Sequence, residues 1–232
     1  MTALADEMTR LFFVLNPPVE EEGSVYIQFI GASTGEGVST IAREFANVVA
    51  RLVEGRTLLL DLNLEGVPQF DSLGKEENRT RIGELGPATD FDGSVKLDEI
   101  WTYRGEDTPN MDEALLTFHA VGESGLHVNR VNPQIIEKFG RPRINNSQPF
   151  WKSLGQVFKV VVIDSPAPTA SYDGLAVCKF CDATLLIVSA EHTRRPVAVA
   201  LRNQILDNEG HIGGVVFNHR RMHIPRFIYR LL

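Results

Sequence analysis

The sequence predicts a three-layer α/β/α fold on one doubly wound, mostly parallel sheet, and three observations carry that prediction. Short β-branched and aliphatic runs alternate with segments of helical periodicity, the pattern of strands joined by crossover helices. The first clear strand, Val25 to Ile30, breaks at Gly31, Gly35 and Gly37 and then gives way to an apolar helix face from Ser39 to Leu52. Two further buried strands, Arg56 to Asn63 and Lys159 to Pro166, carry an aspartate near their ends, Asp61 and Asp164. At 232 residues, 23% charged and 43% hydrophobic, the chain has enough material for one good core and the composition of a globular domain.

Taken in order, residues 3–15 read as a helix with Leu11, Phe12 and Leu15 available for packing, stopped by Pro17-Pro18. Glu20 to Glu22 is an acidic hinge, which sets 1–22 apart as an N-terminal helical segment from a main domain spanning 23–218. Strand, glycine loop, helix and strand within about 40 residues form a βαβ unit, so its strands run parallel with a right-handed crossover. Gly66 to Asp112 is polar and weakly periodic, predicting long loops with short helices, one near Lys96–Trp101. Ala114–Val121 alternates as a strand, and Leu126–Val131 continues or partners it. A loop over Gly140–Asn146 precedes a helix from Gln148 to Phe158. Thr184–Ala190 and Ile212–Phe217 are two more buried strands, with a helix over Pro196–Asn208 between them. Residues 219–232 form a tail in which four arginines alternate with apolar side chains.

The glycine loop carries the chemistry. Gly35, Glu36, Gly37, Val38, Ser39 and Thr40 bring backbone N–H groups and a helix N-terminus to one point, which suits the phosphates of ATP or ADP. The P-loop pattern has Gly, Lys and Ser or Thr entering the helix; Gly37 and Ser39 fit it, while Val38 occupies the lysine position. The loop therefore predicts a fold of the P-loop NTPase type that has lost its phosphate cation. A charge-assisted hydrogen bond contributes roughly 1.5–3 kcal/mol, so its loss weakens nucleotide binding by about one to two powers of ten. Phosphoryl transfer suffers more, because the lysine neutralises charge as the group moves. The first lysine in the chain is Lys75, and the nearest arginines, Arg43 and Arg56, are not placed near the phosphates by sequence. An aspartate ending a strand beside such a loop commonly holds Mg²⁺, which makes Ser39, Asp61 and Asp164 the candidate metal ligands and the two aspartates the candidate catalytic groups. Either aspartate could equally cap the turn after it.

Other classes recede. No apolar run approaches the ~20 residues of a membrane span, and Asp6 and Glu7 stand where a signal peptide carries positive charge, so a cytoplasmic protein is expected. A net charge of −7 argues against general nucleic-acid binding. Cys178 and Cys181 form a single Cys-x-x-Cys within an apolar helical stretch from Leu175: buried thiols, or half of a zinc site shared by two chains.

Ala32-x4-Gly37-Val38-Ser39, Leu58-Leu-Leu-Asp-Leu-Asn63 and Val161-Val-Ile-Asp-Ser-Pro166 resemble, in order and spacing, the Walker A, Walker A′ and Walker B motifs of the bacterial tyrosine (BY) kinases. Leu97-Asp-Glu-Ile100, Asp173 and Gly213-Gly-Val-Val-Phe-Asn218 agree with the same family, and the resemblance covers about residues 5–220. It implies a cytoplasmic partner of an inner-membrane polysaccharide co-polymerase in exopolysaccharide synthesis, with Mg·ATP or Mg·ADP at the loop and Asn218 at the base. The chain departs from the family at Val38, at Asn63 where the second Walker A′ aspartate belongs, and at Glu65 where an arginine usually follows. The family's Glu-x2-Arg-x2-Arg oligomerisation motif reads Glu7, Arg10 and Phe13, implying a homo-oligomer with an altered contact. In place of a C-terminal tyrosine cluster there is Tyr229 alone, in a tail that suits docking on a membrane surface or an acidic partner. Together these imply a regulatory, kinase-like subunit with a degenerate ATP site. The alternatives are an active ATPase or tyrosine autokinase of the same family, and a positioning ATPase like MinD and ParA, whose loops usually carry an additional early lysine that Ser24 to Thr40 lacks.

Overall fold

A computed structural model describes residues 3–19, 23–64, 66–89, 91, 97–103 and 115–219. The strands are β1 (Val25–Gly31), β2 (Thr57–Asp61), β3 (Leu85–Ala88), β4 (Trp101–Thr102), β5 (Leu116–Val121), β6 (Leu126–Val131), β7 (Arg143–Ile144), β8 (Val160–Asp164), β9 (Ala183–Ser189) and β10 (Ile212–Asn218). The helices are α1 (Ala3–Leu15), α2 (Val38–Leu52), α3 (Gln69–Leu73), α4 (Glu76–Arg81), α5 (Pro133–Phe139), α6 (Gln148–Leu154), α7 (Asp173–Val177) and α8 (Arg195–Asp207).

Eight strands form one sheet in the order β10-β9-β1-β8-β2-β6-β5-β3. The pairs from β10 to β6 are parallel, and β5 runs antiparallel to both of its neighbours. The chain leaves β1 through α2, passes over β8 and enters β2, so the loop between β1 and α2 opens where the connections diverge, at the carboxyl ends of the strands. That crevice is where doubly wound sheets bind ligands. Every residue of β1, β2 and β8 is buried, as central strands covered on both faces require. One face of the sheet packs on α1 and α2 through Met8, Phe12, Phe29, Phe45 and Val49; the other carries Tyr26, Trp151, Leu154 and Phe158.

The βαβ unit, the strand ending in Asp164 and β9 match the sequence expectation closely; Ile212–Phe217 is a strand as expected but not a buried one, because β10 lies at the edge of the sheet and leaves Val215 and Phe217 exposed. Leu126–Val131 is the antiparallel partner of β5 rather than its continuation. Between Gly66 and Asp112 the expected short helices are α3 and α4, and the structure adds the edge strand β3, whose Gly-Pro sequence has no strand pattern of its own and is held by pairing with β5. The helix expected near Lys96–Trp101 is a 3₁₀ turn over Leu97–Ile100, and the helix from Gln148 stops at Leu154. A helix the periodicity reading passed over, α5, starts with the Asn132 side chain capping the N–H of Gln134 and Pro133 in its first turn. The N-terminal helix α1 lies on α2, with Phe12 6.4 Å from Phe45, ring centre to ring centre. Both cysteines are buried, Cys178 in a 3₁₀ turn that follows α7. The acidic hinge at Glu20–Glu22, Glu65, and the tail from residue 220 with Tyr229 lie outside the described residues. No helix among the described residues is long and apolar enough to cross a membrane.

Candidate functional site

The loop from Ala32 to Gly37 makes the turn that its glycines predict. Gly35 and Gly37 both hold left-handed backbone, at φ of 85° and 87°, a region that costs little only for glycine. A Cβ at Gly37 would lie 2.1 Å from the Asn218 Nδ2, whereas one at Gly35 would meet nothing within 4 Å. The loop is therefore tight where it enters α2 and open at its crest. Asn218, at the end of β10, donates from Nδ2 to the Glu36 carbonyl at 2.8 Å. Glu36 itself is buried; its carboxylate accepts from the Ser33 N–H at 3.1 Å and from the Thr193 hydroxyl. Val38 opens α2 half-buried and packs against the core. Thr40 is exposed. A cavity of about 340 Å³ lies beside the loop, lined by Ser33, Thr34, Glu36, Ser189, His192 and Arg194.

Behind the loop the two aspartates stand opposite each other in register on β2 and β8. Asp61 works as a turn-holder: one carboxylate oxygen accepts from the Asn63 N–H at 2.9 Å and the other from the Gln69 N–H at 2.7 Å. Its backbone is paired by a side chain, since the Asp61 N–H donates to the Asn129 Oδ1 at 2.6 Å and the Asn129 Nδ2 donates to the Asp61 carbonyl at 3.1 Å. Asn129 thus prolongs the β2–β6 ladder beyond Leu59, its last paired residue on β2. Asp164 accepts on Oδ2 from the Gln69 Nε2 at 2.6 Å, and its Oδ1 is buried without a partner. The same Gln69 Nε2 donates to the Ser39 carbonyl at 2.7 Å, and the Gln69 Oε1 accepts from the Arg43 Nη1 at 2.9 Å.

The electrostatics follow from burial. Desolvation raises the pKa of both carboxyls, and the nearby Asp164 charge raises that of Asp61 further. The Gln69 amide, the Ser39 hydroxyl and the Arg43 charge act against that rise at Asp164. Burial lowers the Arg43 pKa, opposed by Glu44 and Asp164. Two facing carboxylates with a guanidinium beside them share charge as a unit rather than titrating independently.

The structure therefore brings Ser39, Asp61 and Asp164 together and gathers Gly35, Glu36, Gly37 and Asn218 at the loop. Sequence reasoning missed Gln69, Asn129, Thr193 and Arg43. Arg43, one helical turn after Ser39, reaches the aspartates through Gln69, a position the sequence alone did not give it. Its i+4 spacing from Ser39 was a usable signal. Gln69, in a stretch read as loop, offered none.

Fit to the expected ligands divides in two. The loop holds left-handed backbone at Gly35 and Gly37 with open space at Gly35, which leaves room for a phosphate, although the Ser33 N–H is already taken by the Glu36 carboxylate. The metal position is filled as arranged: the Gln69 amide N–H holds one Asp164 oxygen and lies between it and the start of α2, both Asp61 oxygens already accept backbone N–H groups, and only Asp164 Oδ1 is left without a partner. Among the described residues no group of three or more His, Cys, Asp or Glu converges as a metal site.

No family model matches the chain, and no curated protein does. Solved structures do. The kinase domain of VpsO superposes with a TM-score of 0.56 at 20% identity, over 94% of this chain and 95% of that one. The chimerical protein CapA2B2 gives 0.62 at 14% identity over 95% and 87%, and the kinase domain of the Escherichia coli tyrosine kinase ETK gives 0.56 at 16% over 96% and 78%. The chain has the fold of the bacterial tyrosine-kinase domains. Apo McdA from Cyanthece shares the fold over a shorter stretch, 84% of this chain, with a TM-score of 0.53.

Proposed function

We propose that this chain is a cytoplasmic, kinase-like regulatory subunit of bacterial exopolysaccharide synthesis, serving a capsule, a biofilm matrix or a holdfast-type adhesin. It works by contact with an inner-membrane polysaccharide co-polymerase rather than by transferring phosphate. One observation carries this reading: a P-loop framework keeps its shape while Val38 replaces the phosphate cation and the chain's own donors occupy Asp61 and Asp164. The tyrosine-kinase fold across nearly the whole chain supports it, as does the basic, apolar composition of residues 219–232. Where a nucleotide enters, the backbone N–H groups of Gly35 to Thr40 would hold its phosphates, and its γ-phosphate would find no lysine to neutralise developing charge.

Calorimetry with ATP and ADP, in Mg²⁺ and in EDTA, tests the site. Weak or absent binding to the native protein, with no phosphate release, is the expected result. Phosphate release that depends on Mg²⁺ and vanishes in Asp164→Ala would establish the active ATPase or autokinase instead. Co-purification from native membranes tests the partner, and recovery without any polysaccharide-assembly component would overturn that part. The likeness to McdA favours a second reading, a positioning ATPase; it requires ATP-driven dimerisation, which light scattering with and without ATP detects.

A further inference from the structure

The side chain of Gln69 lies between the start of α2 and the two aspartates, joining the Ser39 carbonyl to Asp164. Gln69 is fully buried, and every polar group it offers toward the site is used. Its N–H holds Asp61, its Nε2 bridges Asp164 and the Ser39 carbonyl, and its Oε1 accepts from Arg43. The amide can face only one way. Reversed, its carbonyl oxygen would oppose a carboxylate and a carbonyl, and its NH₂ would oppose a guanidinium; the donor-acceptor chemistry excludes that. The electropositive end of the amide therefore points at Asp164, with the buried Arg43 charge directly behind it. Asp164 Oδ1 and Arg43 Nε, both buried, have no hydrogen-bond partner, so the cluster carries charge that hydrogen bonding alone does not balance.

We infer that Gln69, backed by Arg43, is an internal substitute for the divalent cation. It is a positioning residue that closes the carboxylate pair without metal and ties α3 to the start of α2. A divalent ion reaches Asp61 and Asp164 only when Gln69 withdraws. Metal entry is thereby coupled to movement of α3, and the resting state of the site is metal-free. The inference rests on reading the glycine loop as a nucleotide-type site, and it concerns the cation alone.

The test uses the full chain without nucleotide or partner, so failure of the exopolysaccharide assignment leaves its result unaffected. Free Mn²⁺ is titrated by electron paramagnetic resonance into native protein, Gln69→Ala and the double variant Gln69→Ala/Asp164→Asn. Thermal midpoints are compared in EDTA and in millimolar Mg²⁺. Gln69→Ala is expected to bind one Mn²⁺ about tenfold or more tighter than native protein, and the double variant to lose that gain. The native thermal midpoint is expected to be the same in Mg²⁺ and EDTA. Because Gln69→Ala removes a buried hub, Gln69→Glu serves as a second, nearly isosteric probe. It places a third carboxylate in the cluster, and is expected to melt lower than native protein in EDTA and to recover in Mg²⁺. A native midpoint that rises in Mg²⁺, native Mn²⁺ binding as tight as that of Gln69→Ala, or a Gln69→Glu variant indifferent to Mg²⁺ would each overturn the inference.

Discussion

Two residues of the loop define what it can hold. On the proposed reading of the loop, Val38 takes the lysine position, so Val38→Lys should tighten ATP binding by about one to two powers of ten, the equivalent of one charge-assisted hydrogen bond. Calorimetry reads this directly, and an unchanged affinity would mean that the loop geometry has drifted away from phosphate as well. Gly37 is needed for two independent reasons, its left-handed backbone and the Asn218 amide 2.1 Å from where a Cβ would stand. Gly37→Ala should therefore destabilise the fold by about 1–3 kcal/mol in urea denaturation. Adding Asn218→Ala should recover only the steric part, since the backbone strain stays.

At the scale of elements, α1 belongs to the core through one face and leaves the other outside. Phe12 is buried against Phe45, while Phe13 is 65% exposed. Phe12→Ala should cost about 3 kcal/mol, near the low end for a buried aromatic because a terminal helix can detach on its own. Phe13→Ala should change stability by no more than about 0.5 kcal/mol. Chemical denaturation of the two variants separates a helix docked on its own domain from one held only by a neighbour. Since Phe13 stands where the bacterial tyrosine kinases carry the last arginine of their oligomerisation motif, the same pair tests self-association: sedimentation that changes in Phe13→Ala without loss of stability assigns the exposed face to a contact between copies.

For the molecule as a whole, one group that couples pH to stability is a histidine inside the aromatic core. His127 on β6 is buried, with its ring 5.7 Å from Phe91 and 5.8 Å from Phe158, and its Nδ1 lies 3.0 Å from the Gly125 carbonyl. Burial lowers its pKa from the ordinary histidine value, helped by Arg56 and opposed by the Gly125 bond. The sign follows from linkage. Below the ordinary histidine range the unfolded chain binds a proton that the folded one resists, so stability is fully present above that range and falls as pH drops through it. Buried Asp61 and Asp164, whose pKa values are raised, gain stability over the same fall in pH, so the histidine is read by difference: from pH 7 toward pH 5 the thermal midpoint of native protein should fall relative to that of His127→Phe, which keeps a ring and removes the titrating nitrogen. The Gly125 carbonyl keeps a donor in that variant, the Thr57 N–H at 3.0 Å. An identical slope in both proteins would place the pH response elsewhere.

The sequence by itself determined the parallel core and the shape of the loop. Buried strands such as β1, β2 and β8 must be continuously apolar, and a turn such as Gly35–Gly37 must use glycine, so both requirements are local and can be read residue by residue. It also located Ser39, Asp61 and Asp164 at one edge of one sheet, because strand ends in a parallel sheet point the same way. Tertiary structure alone decided what those residues do. Asp61 reads identically whether it holds a metal or holds a turn, and the difference lies in the N–H groups of Asn63 and Gln69 that fold back on it. Gln69 lies 30 residues from Ser39 and 95 from Asp164 along the chain, in a stretch without periodicity. β3, equally silent in sequence, exists only because β5 offers it an edge. Hydrogen bonds between distant segments depend on packing that no local pattern encodes, which is why the turn of the glycine loop was legible and the network behind it was not.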